Sequence, residues 1–331
     1  MNVWQHWQRF TAEASGPATG LSPAEQVALR WGEGATPLGG RWGALLECLP
    51  DVGRMRWRVE NDLGSLEVAG SLDEVDATPR TAIGRGPGLE LRLLLSRWAW
   101  AFAVDVEPHR GLRSSLRAFD DRGTELLRAD LVADSDYLPY ARMLSSFRNP
   151  DLSWTMAVEP PPRPGAYESR GVIATVAVLE AWSAMQTSGD FFRLLRTFEL
   201  SRPAAYRQVE GAFARRLPAS ATGLLLEALA GAEVPLALRF ASRGAILVHR
   251  GIVERVCTAG NALCVLDPGV RLELDLARAA ECWLVRRPDA CGERLSLELL
   301  DAQGDAIVTV RDARSDHEPS DPRWLAAAEA L

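Results

Sequence analysis

Four arginines stand where a fixed positive charge has chemistry to do. Arg92 lies among leucines in "LELRLLL", Arg202 follows "FELS", Arg287 closes "CWLVRRP", and Arg314 ends "VRDAR". A guanidinium on a half-buried surface keeps its proton and needs a carboxylate or phosphate partner, which it meets through paired N–H groups. Such residues hold an anionic ligand or form internal ion pairs, and the 44 acidic residues supply partners for the second arrangement. All 37 basic residues are arginine, so Schiff-base and phosphate-loop lysine chemistry is excluded.

Other reactive types are sparse. The four histidines, at 6, 109, 249 and 317, have no GxSxG nucleophile elbow to serve. His249 sits on an alternating strand, His109 in a hairpin turn and His317 in a polar tail, all ordinary settings for packing or solvent exposure. "GRGPG" (84–88) has the glycines of a phosphate loop, but Pro87 blocks the helix such a loop must open, so a turn before a strand is expected. Five cysteines, at 48, 257, 264, 282 and 291, form no CxxC pair or metal-ligand spacing. They are expected as reduced thiols. A net charge of −7 without a basic stripe argues against a general nucleic-acid binder. The opening segment lacks the pattern of a signal peptide and no run of 18 apolar residues occurs. A soluble cytoplasmic protein is therefore expected.

The elements that must position the arginines occur twice. "LELRLLLSRWAWAFAVDVEPHRGLRSSLRAFDDRG" (89–123) aligns without gaps on "VRLELDLARAAECWLVRRPDACGERLSLELLDAQG" (270–304). The offset is 181, so Ser115, Leu116, Asp120 and Gly123 fall on Ser296, Leu297, Asp301 and Gly304. Upstream, "GALLECL" matches "GLLLEAL" at offset 180 and Leu21-Ser22 matches Leu200-Ser201 at 179. So slow a drift marks a tandem duplication. In each copy a helix leads, as in the capping box and early proline of "SPAEQVALRWG", and alternating strands with Asp-x-x-Gly turns follow. That order gives an α+β fold. "EPPPRPG" marks an extended linker, so the expected division is an N-terminal repeat over 1–155, a linker over 156–168 and a C-terminal repeat over 169–331. "GVIATVAVLEAWSAM" (171–185) reads as a further apolar helix. The next helix, in "SAMQTSGDFFRLLRTFELSR" (183–202), has an apolar stripe of Phe191, Leu194, Leu195 and Phe198 with Thr187 or Ser188 able to cap it. Its first turn contains Gly189, which adds nothing to the stripe and is disfavoured by roughly 1 kcal/mol against alanine inside a helix.

Taken in order, "AWSAM...DFFRLLR", "RGAILVHRGIVERV", "VLDP", "CWLVRRP" and "SLELLDAQGDAI", with the duplication and the first-copy stretches "LELRLLLSRWAWAFAV" and "FDDRG", resemble the hemin-degrading factors, the HemS and HmuS group of cytoplasmic haem-handling proteins. The likeness runs from about residue 20 to the C-terminus. It implies two repeats, each a large, saddle-like antiparallel sheet with flanking helices, and a haem cleft in the C-terminal half. Gly189 falls at the family's axial histidine, just before Phe191 and Phe192, so the usual iron ligand is missing. Arg92, Arg202 and Arg314 fall at site-lining arginines, Arg287 at a lysine, and Arg311 at an aromatic or tyrosine position. The resemblance thus implies binding of haem or a related anionic tetrapyrrole by an apolar cleft and propionate-pairing arginines, with Gly189 and Phe192 at its wall and no metal ligand assigned. It suggests a role in haem and iron utilisation and a haem-transport or haem-degrading partner. A haem-degrading enzyme, which the missing histidine disfavours, and a duplicated scaffold with a vestigial pocket are the alternatives.

Overall fold

The computed structural model describes residues 20–106, 113–149, 158, 175–314 and 318–331. The proline-rich segment 159–165, residues 1–19 and His6, His109 and His317 lie outside the described residues.

The chain begins with α1 (Pro23–Ala28), β1 (Ala35–Pro37), α2 (Trp42–Leu46), α3 (Leu49–Val52), β2 (Gly53–Asn61), β3 (Gly64–Gly70), β4 (Glu74–Ala77), β5 (Ala82–Gly86) and β6 (Leu89–Leu93). Then come β7 (Trp100–Val106), β8 (Arg113–Phe119), β9 (Glu125–Ser135) and α4 (Tyr137–Phe147). The later residues form α5 (Thr175–Ser183), α6 (Ser188–Thr197), α7 (Arg202–Gln208), β10 (Ala214–Leu217), α8 (Ala221–Gly231), β11 (Leu236–Ala241) and β12 (Ala245–Gly251). The series closes with β13 (Val256–Ala259), β14 (Ala262–Leu266), β15 (Val270–Asp275), β16 (Glu281–Asp289), β17 (Gly292–Leu300), β18 (Ala306–Asp312) and α9 (Pro322–Glu329). This is an α+β protein built on two large antiparallel sheets.

Two compact units divide the chain. The first takes residues 1–161 with 240–249 and 268–273, and the second takes 162–239, 250–267 and 274–331. Within the first, strands follow the order β1-β7-β8-β9-β2-β3 with β15 beside β3, and a further group runs β12-β6-β5-β4. Residues 245–249, which belong to the second sequence repeat, thus pair with 89–93, Ile246 opposite Arg92 and His249 opposite Leu89. Asn61 Nδ2 also donates to the Ala241 carbonyl (2.8 Å) and Ser242 Oγ to that of Leu126 (3.3 Å). Within the second unit the order is β10-β16-β17-β18-β11.

The duplicated sequence signature has one physical job in both copies: a turn that docks under the start of a helix. Asp120 Oδ1 accepts from the amides of Arg122 and Thr124, both 2.9 Å. Asp301 Oδ1 does the same for Gln303 (2.9 Å) and Asp305 (2.8 Å). The glycine that closes each turn is left-handed, φ +73° at Gly123 and +83° at Gly304, a conformation that disfavours a Cβ. A Cβ would also strike the helix: Ser22 and Ala24 at Gly123, and Pro203 at Gly304. The helices so approached start alike, with Ser22 Oγ accepting from Glu25 N and Ser201 Oγ from Ala204 N, each 3.3 Å.

In the second unit α5, α6 and α7 close over one face of β16 and β17. Alternation along β16 sends Trp283, Val285 and Arg287 to that face, and the register sets Glu298 opposite Trp283 and Ser296 opposite Val285. Trp182, Phe191, Leu194, Tyr206 and Trp283 form the apolar centre with Met185 and Leu200. Trp182 is fully buried, and its indole N–H reaches the Arg286 carbonyl at 2.9 Å. Burying a polar aromatic requires such a partner for its N–H.

Candidate functional site

Helix α6 begins as its sequence predicts, and Asp190 completes the start. Its Oδ2 accepts from the amides of Gln186 (3.0 Å) and Thr187 (2.8 Å) and from Thr187 Oγ1 (3.0 Å). These bonds, led by that from Gln186, hold the Asp190 carboxyl below its ordinary pKa. Gly189, itself exposed, lies in this first turn, where among the described residues a Cβ would meet only Thr187 Oγ1, at 3.6 Å. That is ordinary contact distance, so the position has room for a larger side chain. Three residues on, Phe192 is 51% exposed, whereas Phe191 is buried.

Two of the four arginines meet above Phe191. The Arg202 guanidinium lies 5.0 Å and that of Arg287 4.4 Å from the ring centroid, and Arg202 also lies 5.9 Å from the Phe192 centroid. These distances allow cation–π attraction. The cations share one carboxylate: Arg202 Nη1 is 3.0 Å from Glu298 Oε2 and Arg287 Nη1 is 2.8 Å from Glu298 Oε1. Tyr206 OH donates to Glu298 Oε2 (2.6 Å) and accepts from Arg202 Nη1 (3.0 Å) and Arg287 Nη2 (2.5 Å). Ser296 Oγ donates to Glu298 Oε1 (3.0 Å) and accepts from Arg287 Nη1 (3.1 Å).

Burial alone would raise the Glu298 carboxyl pKa, but the charges of Arg287 and Arg202 outweigh it and hold the group far below the usual range. Burial pushes the Tyr206 phenol far up, so it stays a neutral donor. The cluster of two guanidiniums and one carboxylate therefore carries net charge +1. Arg287 Nε is buried and has no hydrogen-bond partner among the described residues.

The other two arginines are placed differently. Arg314 is buried, with its side chain 4% exposed. Its Nη2 lies 2.6 Å from Asp289 Oδ2 and 3.3 Å from the Glu293 carbonyl, its Nη1 meets the Glu318 carbonyl, and its Nε lies 3.2 Å from Asp312 Oδ2. Arg314 thus acts as a tie between β16, β17 and the segment after β18. Arg92, in the first unit, is half-exposed on β6 and pairs with Glu90. Met185 is packed in the apolar centre.

Tyr206 and Glu298 are the site residues that the sequence reading missed. A signal for each exists. Tyr206 stands four residues after Arg202, on the same helix face, and Glu298 alternates with Ser296 on a strand whose opposite face is Leu295, Leu297 and Leu299.

The family model of the haemin-degrading HemS.ChuX domain matches residues 20–147 and again 199–331. The chain belongs to this family. It is 28% identical over 334 residues to the hemin transport protein HmuS of Yersinia pestis, covering 98% of this chain and 96% of that one. The crystal structure of holo-PhuS, a haem-binding protein from Pseudomonas aeruginosa, superposes with a TM-score of 0.90 at 28% identity, over 99% of this chain and 97% of the other. ChuS, an E. coli haem oxygenase, gives 0.81 at 25% identity, over 93% and 92%.

Family membership implies haem, and the residues of this member meet that group unevenly. Guanidiniums over an aromatic pair suit a flat ring bearing carboxylates. The orphaned Arg287 Nε is a donor that a ligand oxygen would satisfy. Gly189, in the first turn of α6, has no side-chain atom that could ligate a metal.

Proposed function

We propose that this protein binds haem or a related anionic tetrapyrrole as a carrier, buffer or regulator in cytoplasmic haem and iron handling, without the axial histidine of its family. One observation carries the reading: Arg202 and Arg287 converge over Phe191 with a net charge of +1 beside the exposed ring of Phe192. In this reading the two arginines hold carboxylates of the ligand and the exposed Phe192 faces its ring. Each charged hydrogen bond is worth roughly 1.5–3 kcal/mol before desolvation. A bound haem would bring redox-active iron; this chain's residues contribute orientation, charge and exclusion of water. Hand-over to a haem-transport or haem-degrading protein belongs to the same reading. Five free cysteines agree with a reducing compartment.

Hemin titration tests it. Micromolar hemin should shift the Soret band and quench tryptophan fluorescence, and no change in either would overturn the proposal. Gly189→His should then raise hemin affinity by about tenfold, the equivalent of about 1.4 kcal/mol, and produce a histidine-ligated spectrum. An unchanged titration would mean that α6 does not border the ligand.

Two other readings each have an observation in their favour. The likeness to a haem oxygenase supports an enzyme, which loss of hemin in the presence of oxygen and a reductant would establish for the unmodified protein. The ion pairs made by Arg92, Arg202, Arg287 and Arg314 support a scaffold whose pocket is vestigial.

A further inference from the structure

We propose that Cys257 and Cys264 are a modification site: peroxide joins them in a disulfide that staples the β13–β14 hairpin. The two residues are direct cross-strand partners in an antiparallel ladder, and neither is in a disulfide in this structure. Opposed residues of such a pair project from the same face. Leu266 N donates to the Arg255 carbonyl at 3.0 Å, which fixes the alternation along the ladder and puts 257 and 264 in the hydrogen-bonded class of pair. Cα atoms in that class stand about 5.5 Å apart, at the commonest separation of bridged cysteines, about 5.5–6 Å. The Cα spacing therefore suits a bridge, while the Cβ atoms of a hydrogen-bonded pair stand toward the wide end of about 4.5–5.5 Å against about 3.5–4.5 Å in a disulfide, so closing the bond draws the two strands together at this pair.

The surroundings separate the two roles. Cys264 is buried and Cys257 is half-buried, so Cys257 is the sulfur that a small oxidant meets first. The opposite face of the hairpin is closed by α8: Thr258 Oγ1 donates to Glu227 Oε1 at 2.9 Å, and Leu263 is fully buried. Cys291 is exposed and Cys282 is a buried residue of β16, and neither is a ladder partner of this pair.

The chemistry balances with hydrogen peroxide as oxidant. The Cys257 sulfur attacks one peroxide oxygen, the O–O bond breaks, and the leaving hydroxide takes the thiol proton to become water. The resulting sulfenic acid is then attacked by the Cys264 sulfur. Its S–O bond breaks, a second water leaves with the Cys264 proton, and the two sulfurs together have given two electrons to the peroxide.

Full-length protein carrying Cys291→Ser, which removes the exposed thiol, is treated with hydrogen peroxide, alkylated and digested with trypsin. Cleavage after Arg255 and Arg271 puts both cysteines in one peptide. The expected result is that this peptide loses two hydrogens in mass and resists alkylation until it is reduced. Adding Cys257→Ser should abolish the loss, with unchanged near-ultraviolet circular dichroism showing that the fold persists. Oxidation that adds oxygen to Cys257 without bridging, or a bridge formed instead by Cys282, would overturn the proposal. So would failure of both thiols to react while a protein unfolded in denaturant forms the bridge readily. None of these outcomes depends on whether hemin binds.

Discussion

Replacing Glu298 with glutamine removes the one negative charge between two buried cations while keeping side-chain size. The Glu298 side chain is 3% exposed, and those of Arg202 and Arg287 are 16% and 18% exposed. Taking one partner from a buried ion pair costs about 3–5 kcal/mol. Because both guanidiniums keep some solvent and lie against Phe191, the lower end applies, and Glu298→Gln should destabilise the protein by ~3 kcal/mol at pH 7. Urea unfolding followed by tryptophan fluorescence measures this as a lower midpoint with an unchanged slope. The sign of the pH dependence follows from the depressed Glu298 pKa. An acid whose folded pKa lies below its unfolded value, about 4.3 for glutamate, stabilises fully above that value and loses its contribution as pH falls toward the folded one. The gap between wild type and variant should therefore hold from pH 7 to about 4.3 and shrink only below. A gap under about 0.5 kcal/mol, the scale of a surface substitution, would show that Glu298 does not bind the two arginines together.

Other perturbations are as direct. Trp182→Ala should cost about 3–5 kcal/mol in thermal or chemical unfolding, the loss expected for a large buried aromatic. Gly304→Ala places a Cβ 2.7 Å from Pro203 at a left-handed φ of +83°, and should lower stability by more than about 1 kcal/mol, whereas Gly231→Ala, with no atom of the described residues within 4 Å of the new Cβ, should not. Burial pushes the Cys282 thiol up to about 12, so a disulfide reagent at mildly alkaline pH should label Cys291 quickly and reach Cys282 only after denaturant is added.

The duplication, the fold class and the helix starts were legible because each rests on local chemistry. A capping box, an Asp-x-x-Gly turn and a period-two strand are short patterns with their own hydrogen bonds, and all reappear in the structure. The pairing of residues 245–249 with 89–93 was not legible, because which strand edge a segment finds is decided by tertiary packing. The same limit applied to the site. Arg202 and Arg287 could be picked out as cations needing partners, but Glu298 was only one acid among 44 until the β16–β17 register set it opposite Trp283. Arg314 looked no different from them in sequence, yet its donors are occupied by Asp289 and the Glu293 and Glu318 carbonyls.

Because β6 finds its neighbour in residues 245–249, the first unit cannot be finished as it leaves the ribosome. Synthesis proceeds from the N-terminus at about 5–20 residues per second, so the edge of β6 waits with open amides and carbonyls while well over a hundred further residues are made. An unpaired edge invites another chain. A fragment cut at the proline-rich segment would keep that edge bare permanently and should self-associate, although it contains one of the two stretches that match the family domain. Gene duplication here produced two texts, but the folded object reads across both.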